Sequence, residues 1–482
     1  MGVLSNLEPN NVFKFFEDIC SIPHGSTNVK QISDYLVRFA KERNLKCRQD
    51  EKYNVIIWKD GSKGYENSPA VILQGHMDMV AVKVDGCDKD MAKEGLDLEI
   101  NGDLISAKDT SLGGDNGIAV AYALAILDSD EIAHPPIEAI FTVDEEIGML
   151  GADFIDVSDL KGRIFLNMDS EDEGIFTVSC AGGASAICSI PYGKVEMSTA
   201  QMKIRLDGFL GGHSGVEIDK GRLNANKALG RVLLALSNKI DIQLVTLSGG
   251  EKDNAIAKFS EAVVAVPEDL LPQAKDAVEQ TFAKIQEEYK AVEPSLKLST
   301  DTMETKSIIC MAKTSTKAVI MALVTMPNGI QRMNPEMEGM VQTSLNLGIM
   351  KTEEEYVVLS FAVRSSSQTE KEYLIDKLCA LTGIFGGTVQ VVGNYPGWEY
   401  KADSKLRTVM VEAYKEQSGE EAVIEGIHAG LECGIFASKL PGLDAISFGP
   451  QMRDVHTTNE VLSISSTKRT WELLLKTLAK LK

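Results

Sequence analysis

Seven residues of this 482-residue chain have the types and spacing of a metal site with acid–base groups beside it: His76, Asp78, Asp115, Glu145, Glu146, Asp169 and His456. In His76-x-Asp78 both side chains lie on one side of an extended backbone, so the histidine could bind a metal while the aspartate orients its imidazole. Asp115 stands at the entrance to an apolar helix, Glu145 and Glu146 follow a β-rich run, and Asp169 follows another. Singly, each has a plainer role: a structural His–Asp pair, a helix cap at Asp115, a solvated acidic turn at 144–146, a surface histidine at 456. Their shared position after apolar strands, where open α/β sheets place their binding crevice, is not what independent surface residues would show.

The elements that must hold these residues are legible as apolar runs. Val55 to Trp58 and Ala70 to Gln74 read as strands, the second leading into Gly75-His76-Met77-Asp78. Gly117 to Leu127 has helical length, and Ile137 to Val143 and Arg163 to Met168 are strands. Short apolar runs separated by helices predict an α/β domain whose mixed, largely parallel sheet has helices on both faces. The pattern returns with a strand at Asp444–Phe448 and an amphipathic helix at Ser465–Leu481.

Between these segments the order differs. Strand Gln201–Leu206, loop Gly208–Gly215, helix Asn224–Leu236 and strand Ile242–Leu247 are followed by one long polar-faced helix, Glu268–Tyr289. A related order returns as strand Tyr356–Val363, loop Arg364–Ser367, helix Glu370–Leu381 and strand Thr388–Val392. The expected organisation is therefore a catalytic domain in two segments, 1–185 and 396–482, interrupted by an inserted two-lobed α+β domain, 186–395.

Composition sets outer bounds. Lys and Arg number 49 against 70 Asp and Glu, a net charge of −21, which argues against nucleic acid or an anionic membrane as the main partner. The longest apolar run, Gly117 to Leu127, is about half of the roughly 20 residues that span a bilayer. The opening residues have neither a signal-peptide pattern nor a myristoylation pattern, since Asn6 stands where Ser or Thr is needed. The eight cysteines are scattered without a CxxC pair, which reads as reduced thiols in a cytoplasmic protein.

Four segments, Gln74-Gly75-His76-Met77-Asp78-Met79-Val80, Gly113-Gly114-Asp115-Asn116-Gly117-Ile118, Thr142-Val143-Asp144-Glu145-Glu146-Ile147-Gly148 and Asn167-Met168-Asp169-Ser170, resemble in order the motifs of the co-catalytic zinc aminopeptidase/carboxypeptidase superfamily. His428-Ala429-Gly430-Leu431-Glu432-Cys433-Gly434 and Gly449-Pro450 with Arg453-Asp454-Val455-His456-Thr457 are similar to its aminoacyl-histidine dipeptidase, carnosinase-like branch. The resemblance implies a cytoplasmic dipeptidase acting on Xaa-His and related dipeptides, β-Ala-His included. It implies two Zn2+ per chain, with Co2+ or Mn2+ able to stand in. Asp115 would bridge them, His76 and Asp169 completing one site and Glu146 and His456 the other. Glu145 would be the general base for a water between the ions, and Asp78 would hold the His76 tautomer. A cis peptide after Asp115 is implied as well.

The same resemblance makes the inserted domain a lid and the surface of a homodimer. His213, in Gly211-Gly212-His213-Ser214-Gly215, would meet the substrate carbonyl, Asn254 would touch the substrate, and Arg364 would pair with its C-terminal carboxylate. A flexible glycine-rich turn at 213 and a structural salt bridge at Arg364 are the alternatives. Gly430 would let backbone approach the ligand closely. His24 and His134, in Pro-flanked loops, read as surface residues, and His428 has no assigned role. An aminoacylase, desuccinylase or tripeptidase of the same superfamily stays open. So does a non-catalytic binding protein, although neither Glu145 nor any ligand is lost. Gly114, Ala257 and Thr458 depart from the branch, which often has Ala, Pro and Pro there; they bear on loop stiffness and substrate preference.

Overall fold

The computed structural model describes residues 2–482. The chain divides into two compact units, one holding the sequence through Ser179 with Tyr400–Gly426 and Leu431–Lys482, the other Cys180–Glu399 with Ile427–Gly430. No helix among the described residues is long and apolar enough to cross a membrane.

The first unit is built on strands β1 (Lys46–Gln49), β2 (Val55–Lys59), β3 (Val71–His76), β4 (Ile137–Thr142), β5 (Ile164–Asn167), β6 (Ile175–Cys180), β7 (Val423–Ile427) and β8 (Asp444–Ser447). Their order in the sheet is β1-β2-β4-β3-β5-β8-β6-β7. The four central strands are parallel, with His76 opposite Thr142, Gln74 opposite Asn167 and Ser447 opposite Asn167, so their carboxyl ends share one edge. β3 and β4 are buried along their whole length, as strands covered on both faces must be.

Helices α1 (Asn10–Cys20), α2 (Lys30–Glu42) and α3 (Gly114–Asp128) precede or interleave these strands. α3 has no polar face: every residue from Gly114 to Leu127 is buried, and the helix packs on β3 and α1. Gly75 permits that approach, because a Cβ there would lie 2.5 Å from Asn116 Oδ1 and 2.6 Å from Ala119 Cβ. The C-terminal helix Ile464–Lys480 starts at Ser463, whose hydroxyl accepts the Ser466 N–H, and buries Leu473, Leu474 and Leu478.

The second unit carries an antiparallel sheet in two halves. Lys297–Met311, Lys194–Asp207, Ser260–Val266 and Gln243–Gly249 form one; Val341–Thr352, Tyr356–Ser365, Gly182–Pro191 and Thr388–Tyr395 form the other. They join through the pairing of Ser248 with Lys351 and Gly249 with Met350. Helices Ala225–Ser237, Leu271–Tyr289 and Lys313–Thr325 accompany the first half, and Gln368–Ile384 the second.

Two local expectations are corrected, and one strand has no counterpart among them. The long helix starts at Leu271, with Pro272 in its first turn where a missing N–H costs nothing, and Glu268–Leu270 is a separate 3-10 turn. Lys297–Met311 is a strand that the sequence does not announce, because polar, exposed residues fill most of it. His24 and His134 are not surface residues but 2% and 1% exposed. The His24 carbonyl accepts the Met79 N–H and the His134 carbonyl accepts the Ser62 N–H, so both Pro-flanked loops lie against neighbouring chain.

Candidate metal centre

Asp115 sends one carboxylate oxygen toward each of two histidines. Its Oδ1 is 3.1 Å from His76 Nε2, and its Oδ2 is 3.0 Å from His456 Nε2. Asp169 Oδ1 lies 3.4 Å from the same His76 nitrogen, and Glu146 Oε2 lies 2.9 Å from the His456 nitrogen. Donors from five separate chain segments thus form two sets that share Asp115.

Local structure explains how each donor arrives. His76 ends β3, and Glu145 and Glu146 follow β4 through Asp144, whose φ of 55° turns the chain sharply. Before α3, Gly113 has φ of 66°; the peptide after Asp115 is cis, and neither Asp115 nor Asn116 is helical. The Asn116 side chain ties two strand ends together: its Oδ1 accepts the His76 N–H at 3.2 Å, and its Nδ2 donates to the Met168 carbonyl at 2.8 Å. His456 sits at the tip of a hairpin whose arms, Met452–Arg453 and Val461–Ser463, pair with each other. Asp454 and His456 adopt φ of 52° and 63° there, a conformation side-chain-bearing residues rarely hold without a reason.

The Asp78 side chain is engaged mainly with the glutamate loop. His76 Nδ1 is 3.0 Å from the Asp78 carbonyl but 3.6 Å from its carboxylate. The carboxylate instead accepts the Glu145 N–H at 3.1 Å and the Ser26 hydroxyl at 2.8 Å, so it fixes the loop that carries both glutamates.

The electrostatics are those of a cluster short of positive charge. Burial drives the Glu145 carboxyl up to about 9, with His76 opposing and Asp169, Glu432 and Glu146 adding to the rise. Burial likewise takes Asp169 to about 6, against His76, and Glu171 to about 7, helped by the charges of Asp115 and Asp169. Burial would lower His76, but the Asp169 charge and its carboxylate hydrogen bonds outweigh this and hold it well above the ordinary value. Hydrogen bonds to Asp115 and Glu146 take His456 up to about 11. Burial works against ionised Asp115, yet the two histidines keep it below the usual carboxylate range.

Among the described residues no Lys or Arg is ion-paired with any of these acids; Asp115, Asp169 and Glu146 pair only with His76 and His456. Glu146 Oε1 is buried without a hydrogen-bond partner. His76, Asp115 and Glu146 offer ligand atoms that all lie within 4.8 Å of one another. Imidazole nitrogens and carboxylate oxygens in this number suit a borderline divalent cation such as zinc, which would supply the charge that protons on the histidines supply otherwise.

Glu432, within the segment His428–Gly434, is a further acid here. It is fully buried at the start of helix Glu432–Lys439, and its Oε2 accepts from Gln74 Nε2 and from the Thr142 hydroxyl. Burial takes its carboxyl up to about 8.

A second cluster lies within the other unit. Arg364, near the end of strand Tyr356–Ser365, donates through Nη1 to the Tyr395 hydroxyl at 3.2 Å, its Nη2 is 3.4 Å from His213 Nε2, and its Nε is buried without a partner. The salt bridge considered for Arg364 is absent among the described residues. His213 Nδ1 accepts the N–H groups of Gly215 and Val216, both at 3.2 Å, which leaves its proton on Nε2. Two donors therefore converge, and an acceptor placed between them would satisfy both. The turn around His213 is tied down, because Gly212–His213 pairs with Ala255–Ile256 and the Ser214 N–H donates to the Asn254 carbonyl at 2.9 Å. Asn254 gives this turn its main chain, and the residue itself is exposed. Gly430 ends the segment Ile427–Gly430, which belongs to this unit. In it His428 Nε2 lies 2.8 Å from the Ser344 hydroxyl, and burial followed by the Arg364 charge pushes that imidazole down to about 3.

Residues 72–480 match the family model for peptidase family M20/M25/M40. The chain is 35% identical over 476 residues to the cytosol non-specific dipeptidase of Escherichia coli (strain K12), covering 98% of each. The crystal structure of aminoacylhistidine dipeptidase from Vibrio alginolyticus superposes with a TM-score of 0.94 at 35% identity, over 99% of this chain and 98% of that one. An aminopeptidase structure from Bacillus cereus shares the fold at 15% identity and a TM-score of 0.56, over 98% and 99% of the two chains.

Proposed function

The chain belongs to peptidase family M20/M25/M40, and on that premise we propose that it is a cytoplasmic two-zinc dipeptidase that cleaves Xaa-His and related dipeptides, β-Ala-His among them. The observation that carries this reading is the Asp115 carboxylate, with one oxygen against each histidine. His76 and Asp169 would hold one ion and Glu146 and His456 the other, with Asp115 shared between the two sets; Co2+ or Mn2+ would fit the same donors. When bound, such ions would polarise the scissile carbonyl, lower the pKa of a bound water and favour the ionised form of Glu145.

Glu145 then takes the water's proton and delivers it to the departing amine. Its neighbour Glu146 can be a ligand at the same time because successive side chains diverge. Asp78 keeps Glu145 in place through the Glu145 N–H. In the second unit the planar fork of Arg364 takes the substrate's C-terminal carboxylate, and His213 donates to its carbonyl oxygen as charge develops. Asn254 and Gly430 complete the proposed substrate contacts, and a homodimer is part of the same reading. The names of the two relatives, a non-specific dipeptidase and an aminoacylhistidine dipeptidase, favour a dipeptide substrate over longer peptides.

The test is a rate panel on purified protein: β-Ala-His, other Xaa-His dipeptides, tripeptides and N-acetyl amino acids, before and after dialysis against a chelator. Dipeptide hydrolysis that is lost on dialysis and restored by zinc is expected. Chelator-insensitive hydrolysis, or preference for tripeptides or N-acetyl amino acids, overturns the reading.

A further inference from the structure

The loop that delivers Asp115 is held by a single side chain from far along the sequence. Glu460 is 3% exposed, and both of its carboxylate oxygens face the backbone of residues 112–115. Oε2 accepts the N–H groups of Leu112 at 2.8 Å and Gly113 at 3.0 Å. Oε1 accepts those of Gly114 at 2.8 Å and Asp115 at 3.3 Å. These amides surround the N-terminus of α3, where backbone donors lack partners within the helix and favour a negative charge. Burial pushes the Glu460 carboxyl up, and the four backbone donors on its two oxygens work against this by favouring the carboxylate form.

Glu460 also belongs to the hairpin that carries His456. Its own N–H donates to the Thr457 carbonyl, and Val461–Ser463 directly after it pairs with Met452–Arg453 and with Leu104–Ala107. One carboxylate thus joins the backbone of the shared aspartate to the hairpin of the histidine that the aspartate meets at 3.0 Å. Gly113 and Gly114 suit this clamp. A Cβ at Gly114 would come within 3.3 Å of Glu460 Oε1, and one at Gly113 within 2.8 Å of Met79 Sδ.

We propose that Glu460 is the positioning residue of the metal centre, setting the Asp115 carboxylate against His456 by gathering the amides of Leu112, Gly113, Gly114 and Asp115. The inference rests on the two-metal reading above. It does not restate that reading, since Glu460 is none of the proposed ligands or substrate contacts and acts through the backbone of residues 112–115.

Glu460→Gln keeps the shape but turns an amide NH2 toward two backbone N–H donors, so half of the clamp becomes donor against donor. Glu138→Gln is the matched control. Glu138 is likewise buried and accepts the N–H groups of Lys161 and Gly162, but touches no residue of the centre. Zinc affinity is read by chelator competition, and Co2+-loaded protein by its visible absorption. In Glu460→Gln, zinc should bind about 10–100-fold more weakly, the range typical when a group supporting a ligand is lost. The cobalt spectrum should change, and kcat at saturating zinc should fall with KM held within about twofold.

Glu138→Gln should lose thermal stability with wild-type metal affinity and spectrum. If Glu460→Gln matches wild type, or matches Glu138→Gln, in affinity and spectrum, the positioning role is wrong. Should Glu460→Gln fail to fold, hydrogen exchange in the wild-type protein decides: amides 112–115 are expected to be strongly protected, and exchange at loop rates overturns the proposal. Wild-type protein that takes up no metal would instead defeat the two-metal reading, a separate outcome.

Discussion

Replacing Glu145 by Gln should move stability and activity in opposite directions. In the metal-free protein, burial and the neighbouring carboxylates raise the Glu145 carboxyl from 4.5 to about 9. The unfolded chain gives up this proton near 4.5, whereas the folded chain keeps it. The contribution of Glu145 to stability is therefore fully present below 4.5 and is lost as pH rises toward 9. At about 1.4 kcal/mol per pH unit, the three units from 4.5 to 7.5 set a ceiling of about 4 kcal/mol. Partial exposure and titration shared with Asp169 bring the expected cost to about 1–3 kcal/mol.

Gln cannot ionise and leaves the Glu145 N–H bond to Asp78 intact, so metal-free Glu145→Gln should be more stable than wild type at pH 7.5 by that amount. The gap should shrink toward zero near pH 5. Urea unfolding of both proteins in chelator, at pH 5, 6.5 and 7.5, measures it. Zinc-loaded Glu145→Gln should keep two ions and lose about 10²–10⁴ in kcat, the usual worth of a positioned general base. A variant no more stable than wild type at pH 7.5, or one whose kcat stays within about tenfold of wild type, would refute the reasoning.

Other perturbations test separate parts of the structure. Gly75→Ala forces a methyl against Asn116 Oδ1 and Ala119 and should cost about 1–3 kcal/mol, with reduced metal content by elemental analysis. Arg364→Lys removes the planar fork, so KM for dipeptides should rise about 10–100-fold with kcat less affected in steady-state kinetics. His428 is held neutral in the fold, so the stability it contributes is lost as pH falls from 6.5 toward 3, at about 1.4 kcal/mol per unit. Urea unfolding at pH 7.5 and 5 should therefore show His428→Gln gaining about 2 kcal/mol on wild type at the lower pH.

The part of the centre that was legible in the sequence is the part that strands deliver. His76, Glu145, Glu146 and Asp169 each follow a buried apolar run, and the parallel register of β4, β3 and β5 gives those runs a common edge. Asp115 was legible because an unusually apolar helix follows it. What the sequence does not show depends on contacts between distant residues. Glu460 reads locally as one more acid in a polar loop, and its role exists only because residues 112–115 lie against it. Glu432 was visible within a motif, but its partners Gln74 and Thr142 lie on β3 and β4, far away in sequence. His24 and His134 looked like surface residues because Pro-rich loops usually are exposed; here backbone hydrogen bonds fold both loops inward. The strand Lys297–Met311 lacks an apolar alternation, since pairing with Lys194–Asp207 rather than burial holds it.

The most direct test is a zinc titration of metal-free protein, following bound metal and β-Ala-His hydrolysis together. Activity that is absent without metal and reaches its plateau at two zinc ions per chain is the expected result. Hydrolysis that persists in chelator, or zinc binding that saturates below two ions per chain while activity is complete, would contradict a centre in which Asp115 serves two metals.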